Sequence, residues 1–342
     1  MPTVDRSRLR ALLDSVRSLR VAVAGDLIAD EFIYGQIARV SREAPVLILN
    51  YDSTEIVPGG AGNAAGNVAA LGGDVRAIGL AGRDEAGRRL IETLKRRRVD
   101  VRGLVRPAGY RTPTKTRILA GGIHSAKQQV VRIDRAAAMT FTDGTRDAFA
   151  RRVLSAVRGC NALLVSDYGS GLVTPALVAE AQKVVQRFPR FGPRPVVLVD
   201  SRYNLLRFRG MTTCTPNESE VEQALGIRIG DNARVLERAG REVLRRTRAG
   251  AVLMTRGSRG MALFEPDRRT VHIPIVGSDQ IADVTGAGDT VIATMTLALA
   301  AGGTFEEAAH LANYAGGLVV MKRGTATVSA AELRHAITSG AG

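Results

Sequence analysis

Six short apolar runs recur along the chain, each ending in or beside Gly, Asp or Asn: VAVAGD at 21–26, VRAIGL at 75–80, ALLVSD at 162–167, VVLVD at 196–200, TTCTPN at 212–217 and AVLMTRG at 251–257. Apart from Arg76 and the threonines of TTCTPN, their bodies are apolar at successive positions rather than at every second one, which suits strands buried on both faces of a parallel sheet. Helical patterns such as EAGRRLIETLKRRR and ESEVEQALG lie between most of them. The alternation predicts an α/β fold built on a doubly wound, mostly parallel sheet. Ligands in such folds bind beyond the carboxyl ends of the strands, which is where Asp26, Asp167, Asp200 and Asn217 fall.

Two regions break the alternation. Residues 31–53 (EFIYGQIARVSREAPVLILNYDS) and 112–134 (TPTKTRILAGGIHSAKQQVVRID) each read as two extended segments around a turn. They predict a small β-sheet grafted onto one core domain spanning 1–342, with His124 exposed at a hairpin tip. Phe32, Ile33, Ile37, Val46, Ile48, Val130 and Ile133 give that sheet an apolar face. A sheet of this kind is unstable alone in water, so it should act as a lid, pair with a second lid in a homodimer, or both.

The formal charge of +15 raises nucleic-acid binding as a possibility, but 43 of the 48 basic residues are scattered Arg. The densest cluster, KRRR at 95–98, ends a helical pattern, where cations suit the helix dipole. With no Trp, zinc finger or RNA-binding aromatic signature, no dedicated nucleic-acid partner is expected, and the positive field suits an anionic substrate. No 18-residue apolar run is free of charge, and the first twenty residues lack an apolar signal core. The expectation is a soluble, cytoplasmic protein that does not enter a membrane, with a short amphipathic helix at the LxxLLxxV spacing. Cys160 and Cys214 lack metal-type spacing and read as buried free thiols.

Two glycine-rich stretches remain. In IADVTGAGDT at 281–290, Gly286 and Gly288 allow consecutive N–H groups to point into one concavity, and the apolar run that follows predicts a buried helix. Its first turn is an anion site. Asp289 there is either a helix cap or the base that phosphoryl transfer needs. In PGGAGNAAGNVAALGG at 58–73, Gly60, Gly62 and Ala65 satisfy G-x-G-x-x-A, but Pro58 and the lack of a leading βα unit argue against a dinucleotide site. Asn63 and Asn67, one helical turn apart, suit several hydroxyls better than a pyrophosphate.

Taken in order, GD at 25–26, PGGAGNAAGN, TPNESE at 215–220, TRGSRGM at 255–261 and DVTGAGDT at 283–290 resemble the ribokinase-like, or PfkB, carbohydrate kinases over nearly the whole chain. IARVSREAPV, QQVVRID, LLVSDYGSG and GTATVS are most similar to the kinases that phosphorylate D-glycero-D-manno-heptose 7-phosphate at O1, including the kinase half of the bifunctional heptose kinase and adenylyltransferase. The resemblance implies a phosphotransferase with an alcohol group as acceptor, using ATP, Mg2+ and K+. It makes Asp289 the catalytic base and the N–H groups of Gly286, Ala287 and Gly288 the anion hole. Asp26, Gly59, Gly60, Asn63 and Asn67 should meet the sugar, with Asp167 close by, and Lys115, Gln129 and Arg132 its distal phosphate. Asn217, Glu220, Thr255, Gly257, Gly260 and Asn313 should meet the nucleotide, Glu220 acting on magnesium through water. Asp283 and Thr285 are the implied monovalent-cation ligands, with a turn-stabilising Asx hydrogen bond as the alternative. Heptose kinases carry Asp-Pro-Lys where this chain has Asp200-Ser201-Arg202, and with the sequence ending at Gly342 the expectation is a kinase without an adenylyltransferase domain. Other acceptors, a different sugar or sugar phosphate, and a catalytically silent sugar-binding regulator are the alternatives.

Overall fold

The apolar runs become the strands of an eight-stranded sheet. In this computed structural model, which describes residues 4–121, 127–135, 141–187, 193–276, 283–322 and 324–339, its strands are β1 (Arg20–Gly25), β4 (Asp74–Ile78), β7 (Ala162–Asp167), β8 (Val196–Ser201), β9 (Thr213–Cys214), β10 (Ala251–Thr255), β11 (Met261–Phe264) and β12 (Val271–Ile273). The order is β12-β11-β10-β9-β8-β7-β1-β4. Pairing is parallel from β4 to β10 and antiparallel only through β11 and β12. TTCTPN contributes only two residues to the sheet, because Asn217 turns the chain to cap the next helix. His124, Ile281 and Ala282 lie outside the described residues.

Ten helices cover the sheet: α1 (Arg6–Ser15), α2 (Ala61–Ala70), α3 (Glu85–Arg96), α4 (Asp143–Ala156), α5 (Pro175–Arg187), α6 (Glu218–Leu225), α7 (Ala233–Thr247), α8 (Ala287–Ala300), α9 (Phe305–Val320) and α10 (Ala330–Ser339), counted among the described residues. Strand residues divide between two cores by the period of two. Val21, Val23, Leu164 and Leu253 pack with α1, α2, α3, α8, α9 and α10, whereas Ala22, Ala24, Leu163, Val165 and Val252 pack with α4, α5 and α7. Burial on both faces is why these strands carry no polar alternation. Helix α8 is buried on nearly every side, as its unbroken small and apolar sequence requires. Cys160 and Cys214 are buried thiols, and Cys160 Sγ donates to Ala156 O at 2.8 Å. No described helix is long and apolar enough to cross a membrane.

The second sheet has the order β3-β2-β5-β6, from β2 (Leu27–Val40), β3 (Leu47–Gly60), β5 (Thr114–Gly121) and β6 (Gln128–Arg135). Its first hairpin is longer than the 31–53 expected. Strand β2 leaves the core one residue after β1, and β3 runs into the N-cap of α2, so the sheet is rooted on both sides of the carboxyl edge. Ile37, Val46, Val130 and Ile133 are exposed on this sheet, but Phe32 is not. The Arg117 guanidinium lies 5.3 Å from its ring centroid, and Tyr34 stacks beside it.

Candidate active site

The two glycine-rich stretches form the N-termini of α2 and α8, and these meet. Gly286 caps α8 in the left-handed region (φ 79°, ψ 6°), where a Cβ would lie 2.5 Å from Asn63 Nδ2. Asn63 Nδ2 donates to Asp289 Oδ2 at 2.9 Å and reaches Gly286 O at 3.3 Å. The Tyr168 hydroxyl reaches the other carboxylate oxygen, Asp289 Oδ1, at 3.3 Å. Asp289 is 3% exposed. Burial raises its pKa to about 7; the Asn63 bond opposes the rise, and the Asp30 charge adds to it. Among the described residues, no side chain caps α8 and nothing lies within 4 Å of a Cβ built at Gly288, which leaves the helix terminus to an anion. Of the three backbone donors expected there, Ala287 N–H is already turned onto Val284 O at 3.2 Å.

Asp289 stands at the wall of a cavity of about 580 Å3 that gathers Asn217, Glu220, Thr255, Gly257, Gly260, Asn313, Gly286, Ala287, Gly288 and Asp167. Asn217 and Glu220 form a reciprocal capping box on α6, each accepting from the other's backbone N–H. Burial raises the pKa of Glu220, and raises that of Asp200 well above the carboxylate range, with Glu220, Asp289 and Asp167 adding like charge. Thr215, on the same wall, has its Oγ1 buried without a hydrogen-bond partner among the described residues. Asn313 Nδ2 donates to Pro274 O at 2.7 Å. Among the described residues, no three His, Cys, Asp or Glu side chains gather to hold a metal ion.

A second cavity, of about 290 Å3, opens under the small sheet and is lined by Asp26, Lys115, Arg132 and Arg135. Tyr168 and Arg202 line both cavities, so the two meet at these residues. Asp26 accepts from Tyr168 N at 2.8 Å, from Ser170 N at 3.3 Å and from the Ser170 hydroxyl; burial nevertheless raises its pKa. Lys115 Nζ sits 5.0 Å from the Tyr168 ring centroid, its pKa lowered by burial. The largest cavity, about 1380 Å3, lies at the N-termini of α3 and α4 and contains none of the expected site residues.

A profile of the pfkB family carbohydrate kinases matches residues 22–332. The chain belongs to that family. The kinase, a phosphotransferase with an alcohol group as acceptor, is 39% identical over 330 residues to the bifunctional protein HldE of Geobacter metallireducens, covering 96% of this chain and 65% of that protein. It is 38% identical over 330 residues to the HldE of Proteus mirabilis, covering 96% and 66%. It thus spans about two-thirds of the length of these relatives. Its fold is similar to Escherichia coli phosphofructokinase-2 in complex with potassium, at TM-score 0.73 and 19% identity over 94% of this chain and 98% of that one. It is also similar to Arabidopsis thaliana ribokinase complexed with ribose and ATP, at TM-score 0.69 and 19% identity over 93% and 98%.

Several expected acceptor contacts sit elsewhere in the kinase. Asn63 and Asn67 are fully buried and face neither cavity. Asn63 holds Asp289, and Asn67 Oδ1 accepts from the Thr290 hydroxyl at 3.1 Å and from Val328 N at 3.4 Å. The paired amides thus join α2 to α8 and to the segment before α10, since a buried amide must spend its polar atoms on protein neighbours. Gly60 takes φ 56° at the N-cap of α2, where a Cβ would meet Asp26 O at 2.5 Å, and Gly59 packs against the Asp30 carboxylate. Gln129, on the exposed β6, lines neither cavity, and Arg132 is engaged by Asp134 at 2.6–2.7 Å. Asp167 accepts from the Ser201 hydroxyl at 2.7 Å. The Asp283 carboxylate accepts from Thr285 N at 2.8 Å, which is the Asx-turn arrangement, and from the distant Gly324 N at 3.0 Å.

Sequence reasoning missed Tyr168 and the Asp30 network. Asp30 Oδ1 accepts from Arg117 Nη1 at 2.6 Å and Oδ2 from the Thr325 hydroxyl at 3.1 Å, joining β2, β5 and the segment beside Gly286. Tyr168 follows Asp167 directly at the end of β7, a position that strand topology alone marks as ligand-facing.

Proposed function

We propose that this kinase transfers the γ-phosphate of ATP to O1 of D-glycero-D-manno-heptose 7-phosphate. The observation that carries the reading is the place of Asp289. It is a buried carboxylate at the open N-terminus of α8, against Tyr168, where a cavity that suits a nucleotide meets one lined by Lys115, Arg132, Arg135 and Arg202. Four cationic side chains against two carboxylates, Asp26 and Asp134, the latter paired with Arg132, leave this small cavity net positive and fit an acceptor that carries its own phosphate. The heptose assignment rests further on the motif resemblance and on the identity to the HldE proteins.

In this reading Asp289 takes the proton from the acceptor hydroxyl as O1 attacks. The N–H groups of Gly286 and Gly288, with the positive end of α8, receive the charge on the moving phosphoryl group. Asp26 orients sugar hydroxyls. Thr255, Gly257, Gly260 and Asn313 hold the nucleotide. Bound magnesium would neutralise phosphate oxygens, with Glu220 and Asn217 holding its water shell. Asp283 and Thr285 would hold potassium beside the anion hole. The small sheet acts as a lid on one kinase domain, closing to exclude water and pairing with a second lid in a homodimer. Use of ATP goes with a cytoplasmic site of action.

The test is ADP release over a panel of sugars and sugar phosphates, with phosphorus NMR to identify the product. Release with heptose 7-phosphate and formation of the 1,7-bisphosphate are expected. Arg202, in place of the heptose kinases' lysine, favours a second reading, another sugar phosphate. That reading prevails if a different panel member has the higher kcat/KM, whereas binding without any ADP release marks a silent regulator.

A further inference from the structure

Asp289 has two oxygens, and each already has a donor. Asn63 Nδ2 takes Oδ2 from α2, and the Tyr168 hydroxyl takes Oδ1 from the end of β7. The Tyr168 ring is fixed independently of that contact. Its backbone N–H is bonded to Asp26 Oδ2, a Cβ at Gly60 would lie 3.4 Å from its Cε2, so that only glycine leaves the ring edge free there, and Lys115 Nζ stands 5.0 Å from the ring centroid. The phenol's pKa is raised well above 10 by burial and by the neighbouring Asp289, Asp200 and Asp30 carboxylates, so it remains a donor at any working pH. Each carboxylate oxygen keeps a lone pair after accepting one bond, which leaves room for an acceptor hydroxyl.

Resting on the reading of Asp289 as base, we infer that Tyr168 is a positioning residue, its hydroxyl fixing the plane of the Asp289 carboxylate at the seam between the nucleotide and acceptor cavities. The 3.3 Å separation is long for a hydrogen bond between oxygens, as catalytic contacts often are before substrate binds. The groups facing Asp289 are Asn63 from α2, Asp30 from β2, Lys115 from β5, Tyr168 after β7 and Asp200 from β8. Of these, Asn63 and Tyr168 donate hydrogen bonds to it. A donor stabilises the ionised carboxylate, so removing the hydroxyl must move the titration of Asp289 upward.

The experiment is carbon-13 NMR of the carboxyl groups in aspartate-labelled protein between pH 5 and 9, the Asp289 signal being assigned by its loss in Asp289→Asn. Tyr168→Phe should raise the Asp289 midpoint by about one pH unit, the scale of one charge-assisted hydrogen bond. The acid limb of kcat/KM for heptose 7-phosphate should rise by the same amount, with kcat at pH 6 falling about tenfold and the KM for ATP unchanged. Site-specific replacement of Tyr168 by 3,5-difluorotyrosine, a stronger donor with the same ring, should shift the midpoint downward and covers failure of the Phe variant to fold. A uniform loss of rate with no shift of midpoint, in protein whose turnover Asp289→Asn abolishes, would leave Tyr168 a mere wall and overturn the inference alone. Full turnover in Asp289→Asn would instead remove the base reading, and this inference with it.

Discussion

Asn63 and Asp289, 226 residues apart, share a 2.9 Å hydrogen bond between the first turns of α2 and α8. The two glycine-rich stretches are therefore halves of one site. The first supplies the donor that fixes the base, and the second supplies the base and the helix terminus beside it. Gly286 makes the approach possible, because any side chain there would displace the Asn63 amide.

That relationship sets a pH dependence. With the pKa of Asp289 near 7, the base is largely protonated at pH 6 and ionised at pH 8, so turnover should climb through neutrality. Asp289→Asn should lower kcat by about 10²–10⁴ while nucleotide affinity, measured by calorimetry, changes little. Near-normal turnover in the folded variant would end the assignment of Asp289 as base.

The same burial makes the base a cost to stability, with a defined sign. The pKa of Asp289 is raised from 3.8 unfolded to about 7 folded, so its protonated form is tolerated below pH 4 and folding stability is lost as pH rises from there through 7. Asn at 289 has no charge to bury. Its amide oxygen can accept from Asn63, and its amide nitrogen can donate to the Tyr168 hydroxyl. The inactive variant should therefore be the more stable one at pH 8, by up to about 4 kcal/mol, with the advantage shrinking steadily towards pH 4. Urea denaturation at pH 5, 6.5 and 8 would measure it, and a pH-independent difference would contradict the buried-charge account.

The strands of the large sheet were legible because burial on both faces leaves a continuous apolar signature, and the ligand edge followed from where the polar residues interrupt it. The small sheet was legible as a break in that alternation, but not its full extent, since β2 and β3 carry buried polar residues such as Asp30 where they leave the core. The roles of Asn63 and Asn67 were not legible. A sequence shows two amides on one helical face, but not whether that face meets a cavity or another helix. Asp30 pairs with Arg117 at a separation of 87 residues, and such a pair leaves no local pattern at all.

That pair carries its own prediction. Arg117 and Asp30 are both buried and bonded at 2.6 Å, so removing one partner leaves an uncompensated charge inside the protein. Arg117→Met should cost about 3–5 kcal/mol, and adding Asp30→Asn should recover much of it. A double-mutant cycle in urea gives the coupling energy; additive losses would mean that the two charges are independently solvated.

If Asp283 and Thr285 hold potassium, turnover should be faster in potassium than in sodium, and Asp283→Ala should remove the difference. Equal rates in both salts would leave Asp283 with the Asx-turn bond to Thr285 and the bond to Gly324 N as its whole role.

The last prediction concerns the small sheet. Its outer strands, β3 and β6, present unpaired edges, and Ile37, Val40, Val46, Leu47, Tyr51, Val130, Val131 and Ile133 are all exposed, Ile37 at 43% and Val46 at 56%. So much apolar surface on a four-stranded sheet should be covered in solution, and a second sheet of the same kind is the complement every molecule has to hand. Light scattering at micromolar concentration should show a dimer, and glutamate at Ile37 or Ile133 should yield monomers. Because β5 also carries Lys115 to the acceptor cavity, the monomers should bind the acceptor more weakly and hydrolyse more ATP without it. A monomeric unmodified protein with full kinase activity would rule out the dimer. It would leave closure over the acceptor intact, since the rooting of β2 and β3 at the carboxyl edge lets the same sheet fold over the site within one chain.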